Sequence, residues 1–289
     1  AAVLLVGPAL ASCGGGSGDA AGGDSVPLSS DPTASTAPPT IYPLTGLPVT
    51  DAAVLARPAL VAKIDNASGA IPQNGFNSAD LVFEEIVNDH ITRFAMVFHS
   101  VGSDPVGPIR SGRLQDVNLF GMFNKPLFAW SGGNVTVTQA IDDSDLVNMG
   151  PSRVNAYYRE DTRKQPHNLY SNTTKLWEKA LEGWGLPTQL FEYRTPDDTP
   201  AGIVANGVKI DFDSYDAEWT WNAMSGLYER KQNGDPHLDK GTDSVITTNN
   251  VVILVMDYII GVSGSPDAQS TGTGEAWVFS GGTFVRGTW

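Results

Sequence analysis

The sequence is poor in cysteine and histidine, and this scarcity excludes several classes of protein. Its 289 residues contain one cysteine, Cys13. No intramolecular disulfide can form, so the core alone must stabilise the fold in an oxidising compartment. The four histidines show neither the H-x-x-x-H nor the H-E-x-x-H spacing of zinc enzymes, and thiolate metal sites are excluded. We therefore expect no metal and no cofactor.

Basic residues are also scarce. Lysine and arginine total 18 against 32 aspartate and glutamate residues, a formal net charge of -14. Because a nucleic-acid binder needs a basic stripe, we expect no nucleic-acid partner. The scarcity is uneven, since seven of the ten arginines lie between Arg57 and Lys164. The arginines of that segment are the first place to look for a site.

Charge is absent from the start of the chain, where the first charged residue is Asp19. The apolar run "AAVLLVGPALASC" is too short to span a bilayer and ends in small residues, as an export signal does. The sequence Leu10-Ala11-Ser12-Cys13 looks like a bacterial lipobox. In a lipobox the cysteine becomes the first residue of the mature protein and carries a lipid such as palmitate. The alternative is an ordinary cleaved signal with an incidental cysteine. The lipobox predicts an extracytoplasmic protein anchored by lipid to the bacterial cell membrane.

Large apolar residues are nearly absent from positions 14–40, which hold only Val26 and Leu28 besides Gly, Ser, Ala, Thr, Pro and Asp. This composition predicts a flexible tether after a signal remnant at 1–13. We expect an α/β domain at 41–195 and a β-rich domain at 196–289. The start without Met, and the last strand stopping at "RGTW", predict that both ends are truncated and that the final strand keeps an unpaired edge.

The predicted fold class is α+β, with a smaller, mainly antiparallel β domain in second place. In the first domain, apolar runs predict a buried strand at 59–65 and a hairpin of strands at 79–87 and 92–100. Helical spacing and caps predict helices at 111–123, 134–142 and 173–183. After residue 196, short strands alternate with Gly and Asn turns.

Two arginines in "PVGPIRSGRLQD" are the leading site candidates. Arg110 and Arg113 flank Ser111, which is expected to cap the following helix and place its N–H groups beside two guanidiniums. That arrangement suits a phosphate, sulfate or carboxylate. The alternative is that each arginine pairs with Glu84, Glu85 or Asp116 and only fixes the loop.

Two more loops offer polar groups to a ligand. "AWSGGN" reads as a strand-to-helix turn at a ligand-facing edge, and its serine lacks the G-x-S-x-G context of a nucleophile. The stretch "RVNAYYREDTRKQPHNLY" contains a cluster of arginine, tyrosine and histidine residues. Such a cluster is typical of a site that binds a glycan or a phosphorylated headgroup. The alternative is a solvated connection between elements. The full candidate ligand set is Arg93, Arg110, Ser111, Arg113, Ser131, Gly132, Gly133, Asn134, His167 and Asn168.

Acid-base candidates are few. Adjacent Glu84 and Glu85 on one strand point to opposite faces, so at most one faces a site. His99 is expected to be structural, although His99 and His167 could meet in space beside Asp65 or Glu84. The catalytic candidates are therefore Asp65, Glu84 and His167.

Several stretches together resemble the YerB-like family of bacterial lipoproteins of unknown function. They are "YPLTGLPV", "RPALVAKIDNA", "PQNGFNSADLVFEEIV", "ITRFAMVFHS", "VGPIRSGRLQDV", "WSGGN", "PHNLYSN", "GLYERKQNGDPHLD" and "NNVVILV", within residues 42 to 289. The resemblance implies two domains on a lipoprotein, with a C-terminal part that runs past residue 289. It implies no activity.

The leading hypothesis is a lipid-anchored envelope protein that binds an anionic envelope ligand or protein in an arginine-lined pocket. The pocket would use Arg93, Arg110, Arg113, Ser131, Asn134 and His167. The first alternative is an envelope hydrolase or phosphoryl transferase, in which arginines stabilise developing negative charge. The second is an interaction scaffold without a ligand pocket.

Overall fold

The fold consists mostly of strands. The structure is a computed structural model, which describes residues 2–6, 40–88, 91–181, 184–195, 197–261 and 264–289. Cys13, His90 and all of the predicted tether except Thr40 lie outside the described residues. Across the described ranges, no helix is both long and apolar enough to cross a membrane.

The first part of the chain supplies short helices and most of one large sheet. Its described elements are β1 (Ala2–Val6), β2 (Leu60–Asp65), β3 (Leu81–Ile86), β4 (Thr92–Phe98), α1 (Gln115–Phe120), β5 (Leu127–Ala129), α2 (Val135–Asp142), β6 (Val147–Asn148), β7 (Tyr157–Arg159), β8 (Leu169–Ser171) and α3 (Thr173–Trp177). Short 3-10 turns occur at Ala52–Ala56, Ser68–Ala70, Phe76–Ser78 and Gly121–Phe123.

The first domain is not clearly α/β, which corrects the predicted class in part. Strands β3 and β4 form the predicted hairpin, and β2 lies antiparallel to β4. Only β5 runs parallel to β2, and β6 parallel to β5. The apolar runs predicted the strands, but pairing direction depends on how connections return through space, which periodicity does not record.

Two of the three predicted helices are shorter than expected. Helix α1 begins at Gln115, and its cap position, Leu114, makes no side-chain capping bond, so Ser111 does not cap it. Asp116 instead accepts from the backbone N–H of Arg113 at 2.6 Å. Helix α3 spans five residues. Helix α2 lies where it was predicted, because Asn134 caps it by accepting from Val137 N at 2.9 Å.

The second part of the chain is built of short strands. They are β9 (Ile203–Val204), β10 (Gly207–Asp211), β11 (Asp216–Asn222), β12 (Leu227–Gln232), β13 (Asp235–Pro236), β14 (Leu238–Asp239), β15 (Ser244–Val245), β16 (Thr247–Thr248), β17 (Asn250–Leu254), β18 (Tyr258–Ile260), β19 (Pro266–Ala268), β20 (Glu275–Ser280) and β21 (Thr283–Thr288). This part fits the predicted antiparallel character, since β10, β11, β12, β13 and β16 form an antiparallel five-stranded sheet.

One ten-stranded sheet crosses both parts, in the order β6-β5-β2-β4-β3-β1-β17-β20-β21-β9. The predicted export segment supplies β1, which pairs antiparallel with β3 on one side and β17 on the other. The final strand β21 is not a bare edge over its whole length, because Thr283 and Phe284 pair with β9.

Strands β2, β3 and β4 are buried on both faces. Helices α1 and α2 cover one face, where Val61, Phe83 and Val97 join Phe120 and Ile141 in one apolar cluster. The five-stranded sheet covers the other face, where Ile64, Val82, Phe94 and Met96 pack into a cluster with Trp219 and Tyr228. Burial on both faces explains why these strands read as continuous apolar runs.

A small clasp closes the chain where the described body begins. The Tyr42 hydroxyl accepts from the backbone N–H groups of Thr50 and Asp51 at 3.3 and 3.2 Å. Ile41 pairs with Pro48 in an isolated bridge, and Val49 N donates to Thr40 O at 3.0 Å. The clasp fixes the chain just before β2.

Candidate functional site

Charged side chains interrupt the three buried strands. Lys63 and Asp65 lie in β2, Glu84 and Glu85 in β3, and Arg93 in β4, each at most 6 % exposed. A buried charge is costly unless it is paired and hydrogen-bonded. The partners of these side chains therefore determine what the region can do.

Lys63 occupies two of the nearby carboxylates. Its Nζ lies 2.6 Å from Glu85 Oε1 and 2.7 Å from Asp116 Oδ1, and all three side chains are fully buried. Gln115 also donates to Glu85. Burial raises the pKa of the Asp116 carboxyl above its usual range, and the nearby Glu85 charge adds to the effect. Both acids bond to Lys63, so they do not form ion pairs with the guanidiniums of Arg110 and Arg113.

Glu84 lies on the opposite face of the sheet. Arg230 NH2 donates to both of its oxygens, at 3.0 and 3.1 Å, and Thr92 and Tyr215 also hydrogen-bond to it. Glu84 and Arg230 are fully buried. Glu84 therefore joins the two parts of the chain and does not lie beside Asp65 and His167.

Three arginines gather on the helix-covered face at the end of the sheet. Arg93 is opposite Asp65 on β2 and Glu85 on β3 in the strand register. Its NH1 donates to Ser111 O at 2.8 Å, which ties β4 to the loop of the other two arginines. Arg110 Nε lies 3.1 Å from Asp65 Oδ2, and Arg113 NH2 donates to Asn88 Oδ1 at 2.6 Å. We call Arg93, Arg110 and Arg113 the arginine cluster.

The arginine cluster carries more positive charge than its surroundings neutralise. Burial, with the neighbouring charges of Arg113 and Arg110, lowers the pKa of Arg93 to about 9. Burial also lowers the pKa of Arg113. Within the described residues, the buried Nε atoms of all three lack a well-aligned hydrogen-bond acceptor. A ligand that brings negative charge and acceptor oxygens would supply what is missing.

His167 meets the cluster through Asp65. Its Nδ1 lies 2.7 Å from Asp65 Oδ2, the oxygen that Arg110 also approaches. Asp65 Oδ1 accepts from Ala67 N at 3.1 Å, which fixes the carboxylate. Gly69 is needed here, because a Cβ at this position would lie 2.9 Å from the imidazole ring. A carboxylate and a histidine therefore converge on the Arg110 loop.

The Ser131–Gly133 loop is bonded to the arginine loop and lines a cavity beside it. Ser131 N donates to Arg110 O at 3.0 Å, and Gly112 N donates to Gly132 O at 3.2 Å. The half-open cavity has a volume of about 370 Å³ and is lined by Trp130, Ser131, Gly132, Gly133, Thr138, Asn148, Gly150, Pro151, Ser152 and Arg153. None of the arginine cluster lines it, and neither does His167. The residues predicted for one pocket therefore divide between the arginine cluster and a neighbouring cavity, and the bond from Ser131 N to Arg110 O connects the two.

Three other predicted residues have different roles. Asn134 caps α2. Asn168 bonds to Arg159, Glu160 O and Arg163 O, so its amide stabilises the loop that carries His167. His99 lies at the far end of β4 from Arg93 and does not meet His167; burial lowers its pKa to about 4. In the described part of the chain, no group of three His, Cys, Asp or Glu could hold a metal ion.

Sequence patterns did not identify Lys63, Asn88 or Arg230 as partners of the candidate site residues. Lys63 carried a signal, since it is a charge inside a six-residue apolar strand. Arg230 carried a weaker one, because it alternates with Tyr228 on the inward face of β12. Asn88 carried none, since only the fold brings it to Arg113.

The chain belongs to a family of two-domain proteins. Residues 44–184 match "Protein of unknown function (DUF3048) N-terminal domain" and residues 208–289 match "Protein of unknown function (DUF3048) C-terminal domain".

A similar protein is the "Putative lipoprotein YerB" of Bacillus subtilis (strain 168), 28 % identical over 258 residues. The match covers 86 % of this chain and 77 % of the relative. The crystal structure of YerB protein from Bacillus subtilis matches with a TM-score of 0.76 at 25 % identity, over 86 % of this chain and 87 % of that one. The predicted resemblance to the YerB-like family is confirmed.

Proposed function

We propose that this protein is a lipid-anchored, extracytoplasmic envelope protein whose arginine cluster binds an anionic envelope ligand. One observation carries the proposal. Three buried guanidinium Nε groups lie together without well-aligned acceptors within the described residues, in a chain of net charge -14. The neighbouring acids Glu85 and Asp116 are bound to Lys63, and their charges act on Arg113 only from beyond ion-pair distance.

The membrane anchor rests on a separate observation. Cys13 follows Leu10-Ala11-Ser12 in the lipobox pattern, and the similar Bacillus protein carries the name of a lipoprotein. We expect labelled palmitate to be incorporated into the wild-type chain and not into Cys13→Ser. Equal labelling of both chains would contradict the anchor without touching the arginine cluster.

The ligand chemistry follows from the guanidinium groups. Arginine donates in a planar fork that matches carboxylate and phosphate oxygens. The cluster also lies at the loop end of the sheet, where Arg110 is about one quarter exposed, so a surface group can reach it. A phosphate or carboxylate of a wall polymer or lipid headgroup fits these donors.

Thermal shift tests the binding directly. Inorganic phosphate, soluble wall fragments and vesicles of anionic lipid should each be tested, because a ligand that binds only the folded chain raises its Tm. Arg110→Ala with Arg113→Ala should weaken binding at least about tenfold, since each charge-assisted hydrogen bond contributes about 1.5–3 kcal/mol. Arg286→Ala removes an exposed arginine from β21 and is the matched control. Equal affinity of the double variant and the control would exclude the cluster.

A second candidate is an envelope hydrolase, favoured by the Asp65–His167 pair. A carboxylate bonded to imidazole Nδ1 orients the ring as a general base, and adjacent arginines stabilise developing negative charge. Bis(p-nitrophenyl) phosphate is a simple probe. The hydrolase predicts turnover that His167→Gln abolishes while phosphate binding persists. Absence of turnover by the wild type would leave binding as the function.

A further inference from the structure

The cavity beside the arginine loop has a polar wall that the proposed anion site does not use. Its volume of about 370 Å³ lies within the range of small-molecule sites. Ser131, Thr138 and Ser152 bring hydroxyl groups to the lining, and Asn148 brings an amide. The cavity therefore offers neutral hydrogen-bonding groups close to a cationic cluster.

A chain of hydrogen bonds fixes one wall of the cavity. Trp130 Nε1 donates to Asn148 Oδ1 at 2.7 Å, and Gly150 N donates to the same oxygen at 3.0 Å. The amide of Asn148 donates to Asp142 Oδ1 at 2.7 Å, and Arg153 donates to the other oxygen of that carboxylate at 2.7 Å. The charge of Arg153 is paired within the wall, so this wall is close to neutral and is organised before a ligand arrives.

Two glycines form another part of the lining. Gly132 has φ 106°, in the left-handed region that favours glycine, and a Cβ there would meet no atom within 4 Å. At Gly133 a Cβ would lie 3.1 Å from the ring of Trp130. Neither Gly132 N nor Gly133 N donates to an acceptor within the described residues. The loop therefore adds two backbone donors without protein partners to the hydroxyl and amide groups of the lining.

Ser131 connects the cavity to the arginine loop. Its N–H donates to Arg110 O at 3.0 Å, and its Oγ lies 3.5 Å from the Oγ of Ser111. Arg93 NH1 donates to the carbonyl of Ser111 at 2.8 Å. One pair of serines thus lies between the cavity and the arginine cluster, so a ligand with a neutral part and an anionic part can occupy both.

We propose that the cavity is a sugar subsite of the anion site, so that the ligand is a sugar carrying a phosphate or a carboxylate. The anionic part rests on the arginine cluster of the proposed function. Sugar hydroxyls both donate and accept, which matches a lining of hydroxyl, amide and backbone groups. An aliphatic group would instead bury those polar groups without partners, which is costly. A second anion is disfavoured, because Asp142 already pairs with Arg153.

Calorimetry on the full chain tests the subsite with two sugar probes and their matching bare anions. N-acetylglucosamine 1-phosphate is compared with inorganic phosphate, and N-acetylmuramic acid with lactate, so the two arms distinguish phosphate from carboxylate. Ser152→Tyr adds a ring at an exposed lining residue. Asn155→Tyr adds the same ring at an exposed residue that does not line the cavity, and it is the matched control. Both variants should keep the Tm of the wild type without ligand.

We expect at least one sugar probe to bind the wild type about fivefold or more tightly than its bare anion, because two neutral hydrogen bonds contribute at least that much. Ser152→Tyr should abolish this excess and leave the affinity for the bare anion unchanged, whereas Asn155→Tyr should keep the excess. The sugar subsite is excluded if neither sugar probe exceeds its bare anion, if Ser152→Tyr retains the excess, or if Asn155→Tyr loses it.

The bare anions separate failure of the subsite from failure of the arginine cluster. Binding of a bare anion without a sugar excess overturns the subsite alone. If no bare anion and no sugar probe binds, the cluster and the subsite are both overturned. Sugar binding that Ser152→Tyr removes, in a chain that binds no bare anion, would overturn the link between the cavity and the cluster.

Discussion

The two faces of strands β2, β3 and β4 hold arginine in opposite ways. On the face toward the second part of the chain, Arg230 is fully buried and bonds to both oxygens of Glu84, to Gln232 and to His237. On the helix-covered face, the arginine cluster has one ion-paired carboxylate, Asp65. The first arrangement is neutralised and holds the structure together. Within the described residues, Arg230 Nε also lacks a well-aligned acceptor, as do the Nε atoms of the arginine cluster. The two faces therefore differ in their balance of charge, because three guanidiniums share one ion-paired carboxylate on the second face.

The largest effect should follow from a substitution on the face where Arg230 pairs with Glu84. Arg230→Met leaves Glu84 buried without its cation, so the free energy of unfolding should fall by about 3–5 kcal/mol, measured by urea denaturation. Glu84→Gln combined with Arg230→Met removes both charges and should cost less than Arg230→Met alone. A loss below about 1 kcal/mol for the single variant would contradict the structural role of this face.

Low pH should also destabilise the fold through the face where Arg230 pairs with Glu84. His237 bonds to Arg230 and Gln73, and burial with the Arg230 charge lowers its pKa to about 2. The folded histidine therefore stays neutral while the unfolded chain takes up a proton below about pH 6.5. Its stability contribution is present above pH 6.5 and is lost as the pH falls toward 2, by about 1.4 kcal/mol per pH unit.

Urea denaturation between pH 7 and pH 4.5 measures this slope. His237→Gln keeps a polar group but cannot titrate, so its free energy of unfolding should depend less on pH than that of the wild type. The difference between the two chains isolates His237 from His99, whose pKa is also lowered, and from Asp80, whose pKa burial raises to about 6. Parallel pH profiles would show that His237 is not held neutral.

The helix-covered face should respond in binding more than in stability. Arg93→Met removes the bond to Ser111 O and also the repulsion from Arg110 and Arg113, so it should cost less than about 1.5 kcal/mol of unfolding free energy. Affinity for inorganic phosphate should nevertheless fall at least about tenfold, measured by calorimetry. A stability loss as large as that of Arg230→Met would remove the contrast between the faces.

The smallest effect tests the support of the cavity wall. Asn134→Ala removes the cap of α2 and should lower the free energy of unfolding by about 1 kcal/mol. Asn134→Asp retains a capping oxygen and is the control. If both variants unfold at the same urea concentration as the wild type, the cap does not stabilise this wall.

Local patterns predicted local features of the fold, and distant contacts set the rest. The apolar runs located β2 and the β3–β4 hairpin, and Asn134 located α2. The α/β class was not clearly supported, because β4 pairs antiparallel with β2 and the sequence of neither strand encodes that direction. Ser111 was expected as a cap, but the helix begins four residues later.

The candidate site shows the same division. The sequence pointed to Arg110 and His167, which the fold brings to Asp65, and to Arg113, which bonds to Asn88. It could not show that Lys63 takes Glu85 and Asp116, or that Glu84 pairs with Arg230, 146 positions away. Whether the arginines are free depends on those distant partners, so only the fold could address it.

The Tyr42 clasp has a mechanical consequence for a protein held by its N-terminal side. Any pull from a membrane anchor would reach the folded body at Thr40, and the bridge from Ile41 to Pro48 would bear it first. The hydroxyl bonds of Tyr42 to Thr50 and Asp51 would share that load before it reached β2. The clasp would therefore stand between the proposed anchor and the strand that ends in Asp65.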